Sequence, residues 1–350
     1  MKYLGTFLLF VLLLAGIFPV TGFGQGSGKP VIKIIATGGT IANTVDGRIP
    51  IEDVIADIRR SFPETHLLLD SVEFEVIDLI RVQSGALSGE NFLEIARTAN
   101  RVIQEPGVKG VIVTQGTVTT EITGYFLHLL VRSEKPVVVV NSQRRHGTVS
   151  NDGDKNFIDA VAVVLSPDSV GKGALVVTNQ TINSGREVQK TSVRPDAFVS
   201  GEHGILGIIE EDRVDFYRMP VRRHTTRSEF DINVITVLPK VEIVYAYYDA
   251  DPELIRAAAM GGTRGIIVNG ITTRGSPNAT QRSVLEELAD RGVPVVLTTM
   301  GGVNNRIPLN AGDKFISGDN LVAHKARILL QLALTRTSDP EEIQRIFNEY

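Results

Sequence analysis

The β-branched run Val31-Ile32-Lys33-Ile34-Ile35-Ala36 stops abruptly at Thr37-Gly38-Gly39-Thr40-Ile41-Ala42. A run of this kind reads as a buried parallel strand that ends in a tight turn. Its glycines let the backbone come close to a ligand, and its threonine hydroxyls stand in the crevice beyond the strand end. Taken alone, the turn occurs in many α/β proteins. No third glycine completes G-x-G-x-x-G and no Gly-Lys-Ser/Thr follows, so neither a dinucleotide fingerprint nor a P-loop is present.

The rest of the chain repeats the pattern. Val/Ile runs at 110–114 and 137–140 alternate with helical spacing at Phe92-Ile95-Ala96-Ala99-Val102-Ile103 and with an apolar helical stretch over 119–131. Continuous apolar strands separated by amphipathic helices predict βαβ units and a parallel sheet covered on both faces. A charged, threonine-rich stretch with Pro220 and Pro239 then precedes a second alternation that starts at Val241. The predicted organisation is a larger N-terminal parallel-sheet (flavodoxin/Rossmann-like) α/β domain over 29–217, a linker over 218–240 and a smaller α/β domain over 241–350.

Residues 1–26 read as a secretory signal peptide, with Lys2, an apolar stretch from Leu4 to Phe18 and small residues towards a cleavage site. The expected location is therefore periplasmic or secreted, with no membrane segment in the mature form. The chain has no cysteine, so neither disulfides nor thiol chemistry enter. A net charge of −4 without a long basic run argues against a nucleic-acid partner. Arg222-Arg223-His224 with Arg227 lies beside Glu229 and Asp231 and reads as a compensated connector. The six histidines, at 66, 128, 146, 203, 224 and 324, show no metal-site spacing, and G-x-S-x-G is absent.

Thr-Gly-Gly-Thr-Ile-Ala at 37–42, Val-Thr-Gln-Gly-Thr at 113–117, Ser-Gly-Arg-Glu-Val-Gln-Lys-Thr at 184–191, His-Thr-Thr-Arg-Ser-Glu-Phe-Asp-Ile at 224–232 and Lys-Ala-Arg-Ile-Leu-Leu-Gln-Leu-Ala-Leu at 325–334 come in a characteristic order. From about residue 30 onward the chain resembles the secreted bacterial type II L-asparaginases and glutaminase-asparaginases. The resemblance implies hydrolysis of the side-chain amide of asparagine or glutamine through an acyl-threonine, with no cofactor. It makes Thr40 the nucleophile and Thr117 the second catalytic threonine, and it gives Gly39, Gln83, Ser84, Gly116 and Thr117 substrate-binding positions. It also implies a homotetramer whose sites lie between subunits, acting on a small amide or amino-acid-like ligand.

Several positions depart from the family pattern. Val118 stands where an acidic residue grips the substrate ammonium, and an isopropyl group can neither pair with a cation nor accept a proton. A gapless register places Pro167 at the catalytic lysine. Val82 replaces a serine in the carboxylate-binding pair, leaving Gln83, with Arg81 or Ser84 as possible compensation. The lid that carries a tyrosine is reduced to Asn43–Pro50, the neighbour-subunit loop reads Gly270 to Ser276, and its later acidic partner falls within Gly301 to Pro308.

A positioned acid or base contributes about 10²–10⁴-fold in rate, so losing both acid and lysine predicts weak or substrate-shifted amidohydrolysis. Lys33, His146, Lys155 or a water relay are the candidate replacement bases. The alternative is a catalytically inactive homologue that keeps the fold as a secreted small-molecule or protein binding module.

Overall fold

The computed structural model describes residues 28–211, 213–300, 306–309 and 312–350. The expected signal peptide lies outside the described residues. The first strand, β1 (Val31–Ala36), is followed by helix α1 (Ile51–Ser61), the short α2 (His66–Leu69), β2 (Glu73–Asp78), α3 (Gly89–Val102), β3 (Val108–Thr114), α4 (Thr120–Leu130), β4 (Val137–Val140), α5 (Gly153–Leu165) and β5 (Ala174–Thr178). These strands pair in parallel in the order β2-β1-β3-β4-β5. The winding turns one way from β1 to β2 and the other way from β1 to β3. The carboxyl ends of β1 and β3 therefore flank the topological switch point, where ligands of such sheets bind.

Both faces of the central strands are buried. Ile35, Val111, Val113 and Val139 face α3 and α4, while Ile34, Ile112, Val138 and Val140 pack with residues of α1 and α5, all fully buried. At about 1.5–3 kcal/mol for each large aliphatic side chain removed from water, this double burial is what holds the Val/Ile runs as central strands. Helix α3 begins with a capping box, in which Ser88 Oγ accepts the Asn91 N–H and Asn91 Oδ1 accepts the Ser88 N–H.

Beyond β5 the expected parallel pattern gives way to an antiparallel edge. Strands β6 (Thr181–Ser184), β9 (Gly207–Glu210) and β10 (Arg213–Phe216) extend the sheet to eight strands, and β7 (Gln189–Lys190) pairs with β8 (Phe198–Val199) as a separate ribbon. The reversal from β5 to β6 is made by Asn179 and Gln180, both with positive φ (49° and 60°), the conformation that two-residue hairpin turns need.

The smaller sheet, β11 (Val241–Ala246), β12 (Gly265–Gly270), β13 (Val295–Thr299) and β14 (Ile316–Ser317), is parallel throughout. Helices α6 (Glu253–Met260) and α7 (Ala279–Asp290) belong to this domain. The chain closes with α8 (Ala323–Ala333) and α9 (Pro340–Glu349). Asp339 caps α9 by accepting the Glu341 N–H at 3.1 Å, with Pro340 in the first turn. Helix α8 packs on both α4 and the small sheet, and a single apolar core runs from Tyr125 and Phe126 through Leu329 to Ile267 and Phe347. Among the described residues no helix is long and apolar enough to cross a membrane.

Candidate active site

Three strand-end loops meet at the switch point, and glycines set their spacing. Gly38 and Gly39 have φ of 90° and 93°, in the left-handed region open to glycine. A Cβ on Gly39 would fall 2.5 Å from the Gly116 nitrogen, and one on Gly116 would fall 2.4 Å from Ser84 Oγ. The loops after β1 and β3 are thus stacked at backbone distance, and the Ser84 side chain of the loop after β2 packs directly on Gly116.

Hydroxyl and amide groups bolt the stack together. The buried Thr37 hydroxyl can donate to the Thr114 carbonyl at 2.8 Å or to Gln115 Oε1. Gln115 Nε2 donates to Thr119 Oγ1 at 2.8 Å, and that hydroxyl donates to the Ser84 carbonyl at 3.2 Å. Thr37 and Gln115 therefore serve as struts, while Thr40 and Thr117, on the same loops, are both half-buried. Thr40 opens a single helical turn, Thr40–Ala42, which has no side-chain cap.

A lysine reaches this site, and it is not at position 167. Lys190, on β7, places Nζ 2.6 Å from Thr117 Oγ1. Burial pushes its pKa below the ordinary value of 10.5, opposed by the negative charge of Glu121. Glu121 in turn accepts the Lys190 backbone N–H at 3.4 Å and the His324 ring nitrogen at 3.0 Å. Burial opposes the Glu121 charge, yet His324, Lys325 and the Lys190 N–H outweigh it and hold the carboxyl below its usual range.

The expectation that Pro167 occupies the lysine's position is corrected by topology. Pro167 opens an exposed turn between α5 and the start of β5, at the amino-terminal edge of the sheet, whereas Thr117 follows the carboxyl end of β3. Parallel strands put those two ends on opposite sides of the domain. The gapless register failed because only a three-dimensional return of the chain, through β6 to β7, brings residue 190 back over β3. The sequence signal was present in the Ser184–Thr191 block, whose lysine is flanked by Gln189 and Thr191.

The three suggested replacement bases are engaged elsewhere. Lys33 pairs with Glu75 and, at 2.5 Å, with Glu105. His146 is gripped by Asp154 at 2.8 Å and Asp57 at 3.2 Å. Burial opposes its charge, but the two carboxylates raise its pKa above the ordinary value. Lys155 pairs with the buried Asp159 one helical turn away.

Around the threonines, Val118 is 62% exposed beside Thr117, and Val82 and Gln83 are also exposed. Arg81 pairs with Asp78, while Ser84 is buried against Gly116, so of the two proposed compensations Ser84 is the one inside the stack. The shortened lid folds on itself. Thr44 N–H bonds the Gly47 carbonyl at 2.7 Å, and Asn43 bridges to Arg48. Beside it lies a cavity of 510 Å³, whose walls include Gly38, Asn43, Arg48, Gln83 and Thr114. The Gly270–Ser276 loop folds over β13, with Gly275 against the Thr298 carbonyl. Residues 301–305, part of the segment expected to carry its acidic partner, lie outside the described residues.

Residues 31–222 match the family model described as Asparaginase, N-terminal, and residues 240–347 match Glutaminase/Asparaginase C-terminal domain. The glutaminase-asparaginase of Pseudomonas fluorescens biotype A is 36% identical over 335 residues, covering 91% of this chain and 90% of that protein. A probable periplasmic L-asparaginase of Haemophilus influenzae is 35% identical over 335 residues, covering 92% and 93%. The crystal structure of a probable cytoplasmic L-asparaginase from Campylobacter jejuni superposes with a TM-score of 0.85 at 37% identity, covering 92% of this chain and all of that one. With two family models spanning nearly all described residues and relatives above 30% identity end to end, the chain belongs to the asparaginase family.

Proposed function

We propose that this chain is an amidohydrolase that cleaves carboxamides through an acyl-threonine, with Lys190 and Thr117 as its proton-handling pair. The observation that carries this reading is the 2.6 Å contact between Lys190 Nζ and Thr117 Oγ1, in a half-buried site where the amine is easier to deprotonate than in water. Its relatives named glutaminase-asparaginase and L-asparaginase support an amide substrate.

In the first step Thr40 Oγ forms a C–O bond to the carboxamide carbon as the C–N bond breaks, and ammonia leaves with the hydroxyl proton. In the second, water activated through Thr117 and Lys190 attacks the ester carbon, the carboxylic acid departs, and the Thr40 hydroxyl is restored. Gly39, Gly116, Gln83 and Ser84 take substrate-binding roles, a reading supported by the close stacking of Gly39, Gly116 and Ser84 and by Gln83 in the wall of the adjoining cavity. Lys190, in contact with Thr117, then takes the lysine's role in this reading. Among the remaining departures, Val118 shifts preference away from substrates that need a carboxylate beside their ammonium. Periplasmic or secreted placement and a homotetramer complete the proposal, supported by the apolar stretch of Leu4 to Phe18 and the periplasmic relative.

A second reading exchanges the threonines, because Lys190 touches Thr117 rather than Thr40. Ammonia release from L-asparagine and L-glutamine by the purified chain, beside Thr40→Ala and Thr117→Ala, tests both. Mass spectrometry of peptides from acid-quenched turnover locates the acyl group on residue 40 or on residue 117. No ammonia above the variants, from these or from des-amino amides, would leave a binding module instead.

A further inference from the structure

Lys190 sits on a two-residue strand, and something must aim it. Directly before it, the turn from Gly185 to Val188 points three carbonyls at one buried cation. Lys325 Nζ donates to Gly185 O at 3.1 Å, Arg186 O at 2.7 Å and Val188 O at 2.5 Å. Lys325 lies in the first turn of α8, is 1% exposed, and comes from the part of the chain that packs with the small sheet. An ammonium group has three donors, and all three are used here on backbone oxygens. Its Nζ also lies 5.8 Å from the Tyr125 ring centroid.

The turn has no room to shift the other way. A Cβ on Gly185 would fall 2.4 Å from the Gly124 carbonyl of α4, so the turn is wedged between α4 and α8. From Val188 to Lys190 the chain spans at most about 7 Å, which leaves the Lys190 backbone little freedom once the Val188 carbonyl is held. A second strut acts on the far side, where Glu121, bonded to His324 of α8, accepts the Lys190 N–H.

We propose that Lys325 is a positioning residue for Lys190: by holding the Gly185–Val188 turn from α8, it aims the Lys190 amine at Thr117. The proposal rests on the Lys190–Thr117 pair of the preceding section. It makes the proton-handling pair of the large domain depend on a side chain from the other part of the same subunit. Burial holds Lys325 down to about 8, with Glu121 and Glu187 opposing that shift and Arg186 adding to it, so its hold loosens in alkaline solution as well as on substitution.

The test uses the full mature chain with Lys325→Met, Lys325→Gln and, as control, Lys190→Met. Two readouts are taken, kcat and KM for ammonia release and the pH dependence of competitive acetylation at Lys190, which needs no turnover. Displacing a catalytic group by about 1 Å can cost roughly 100-fold. Lys325→Met is therefore expected to lower kcat about 10- to 100-fold at nearly constant KM and to move Lys190 acetylation towards that of an ordinary lysine. Lys325→Gln, which keeps two donors, should fall between, and carries the test if the methionine variant does not fold. A folded Lys325 variant with wild-type kcat and a wild-type Lys190 acetylation profile would overturn the proposal. Turnover that survives Lys190→Met would instead overturn the pair on which it rests.

Discussion

Gly39 and Gly116 meet backbone to backbone across the ends of β1 and β3, with a Cβ on Gly39 reaching within 2.5 Å of the Gly116 nitrogen. This contact sets how closely the loops that carry Thr40 and Thr117 approach. Gly39→Ala should cost at least about 1–3 kcal/mol from the left-handed backbone alone, and more from the overlap. Thermal unfolding should report the loss, and ammonia release should fall further than stability does, because the loops that carry Thr40 and Thr117 would be forced apart.

Lys190→Met should lower kcat/KM by about 10²–10⁴-fold, the usual contribution of a positioned acid or base. Pro167→Lys, at an exposed turn on the opposite edge of the sheet, should neither harm the wild type nor rescue the Lys190 variant. Steady-state kinetics of the two single variants and the double variant distinguish the positions. Rescue by Pro167→Lys would place the base at the wrong end of the sheet and refute the site described.

The pH dependence of kcat/KM follows from the same amine. Lys190 works as a base only when neutral, so the rate should rise with pH through a pKa lower than the ordinary lysine value of 10.5. Glu121→Gln removes the opposing negative charge and should move that limb to lower pH. A limb that stays fixed in this variant would mean that another group sets it.

Val118→Asp would return a carboxylate next to Thr117 at a position that is 62% exposed, so folding should be nearly unaffected. The expected result is a lower KM for L-asparagine relative to its des-amino amide, because only the former carries an ammonium for the new acid. Equal changes for both substrates would show that Val118 does not face the ammonium.

His128 and His224 lie in ring contact, 4.8 Å between centroids, and both are buried. Burial is the main cause that lowers His128 to about 3, helped by His224 and Arg186 and opposed by Glu187. Burial likewise lowers His224 to about 4, helped by Arg227 and opposed by Glu134 and Glu187. Folded values below the unfolded 6.5 mean that the unfolded chain binds more protons under acid. Stability is then fully present above about pH 6.5 and is lost as pH falls towards 4. Chemical denaturation at stepped pH should show this slope, and His128→Leu should flatten it.

The linear chain made much of this protein legible. The Val/Ile runs with helical spacing between them specify central strands and covering helices, because apolar periodicity is a local property, and β1 and β4 have the bounds their residues suggest. The glycines and threonines of 37–42 and 114–117 mark the site for the same reason, since strand-end turns are short and self-contained. Two kinds of feature were decided only in three dimensions. One is the antiparallel edge beyond β5, where a two-residue turn with positive φ at Asn179 and Gln180 reverses the chain. The other is which lysine reaches Thr117: Lys190 lies 73 positions away, Glu121 on α4 accepts its N–H, and His324 and Lys325 on α8 hold Glu121 and the Gly185–Val188 turn. Local pattern fixes which residues become strand ends, but the 2.6 Å contact between Lys190 and Thr117 depends on how separate elements pack, and that information is spread over the whole core.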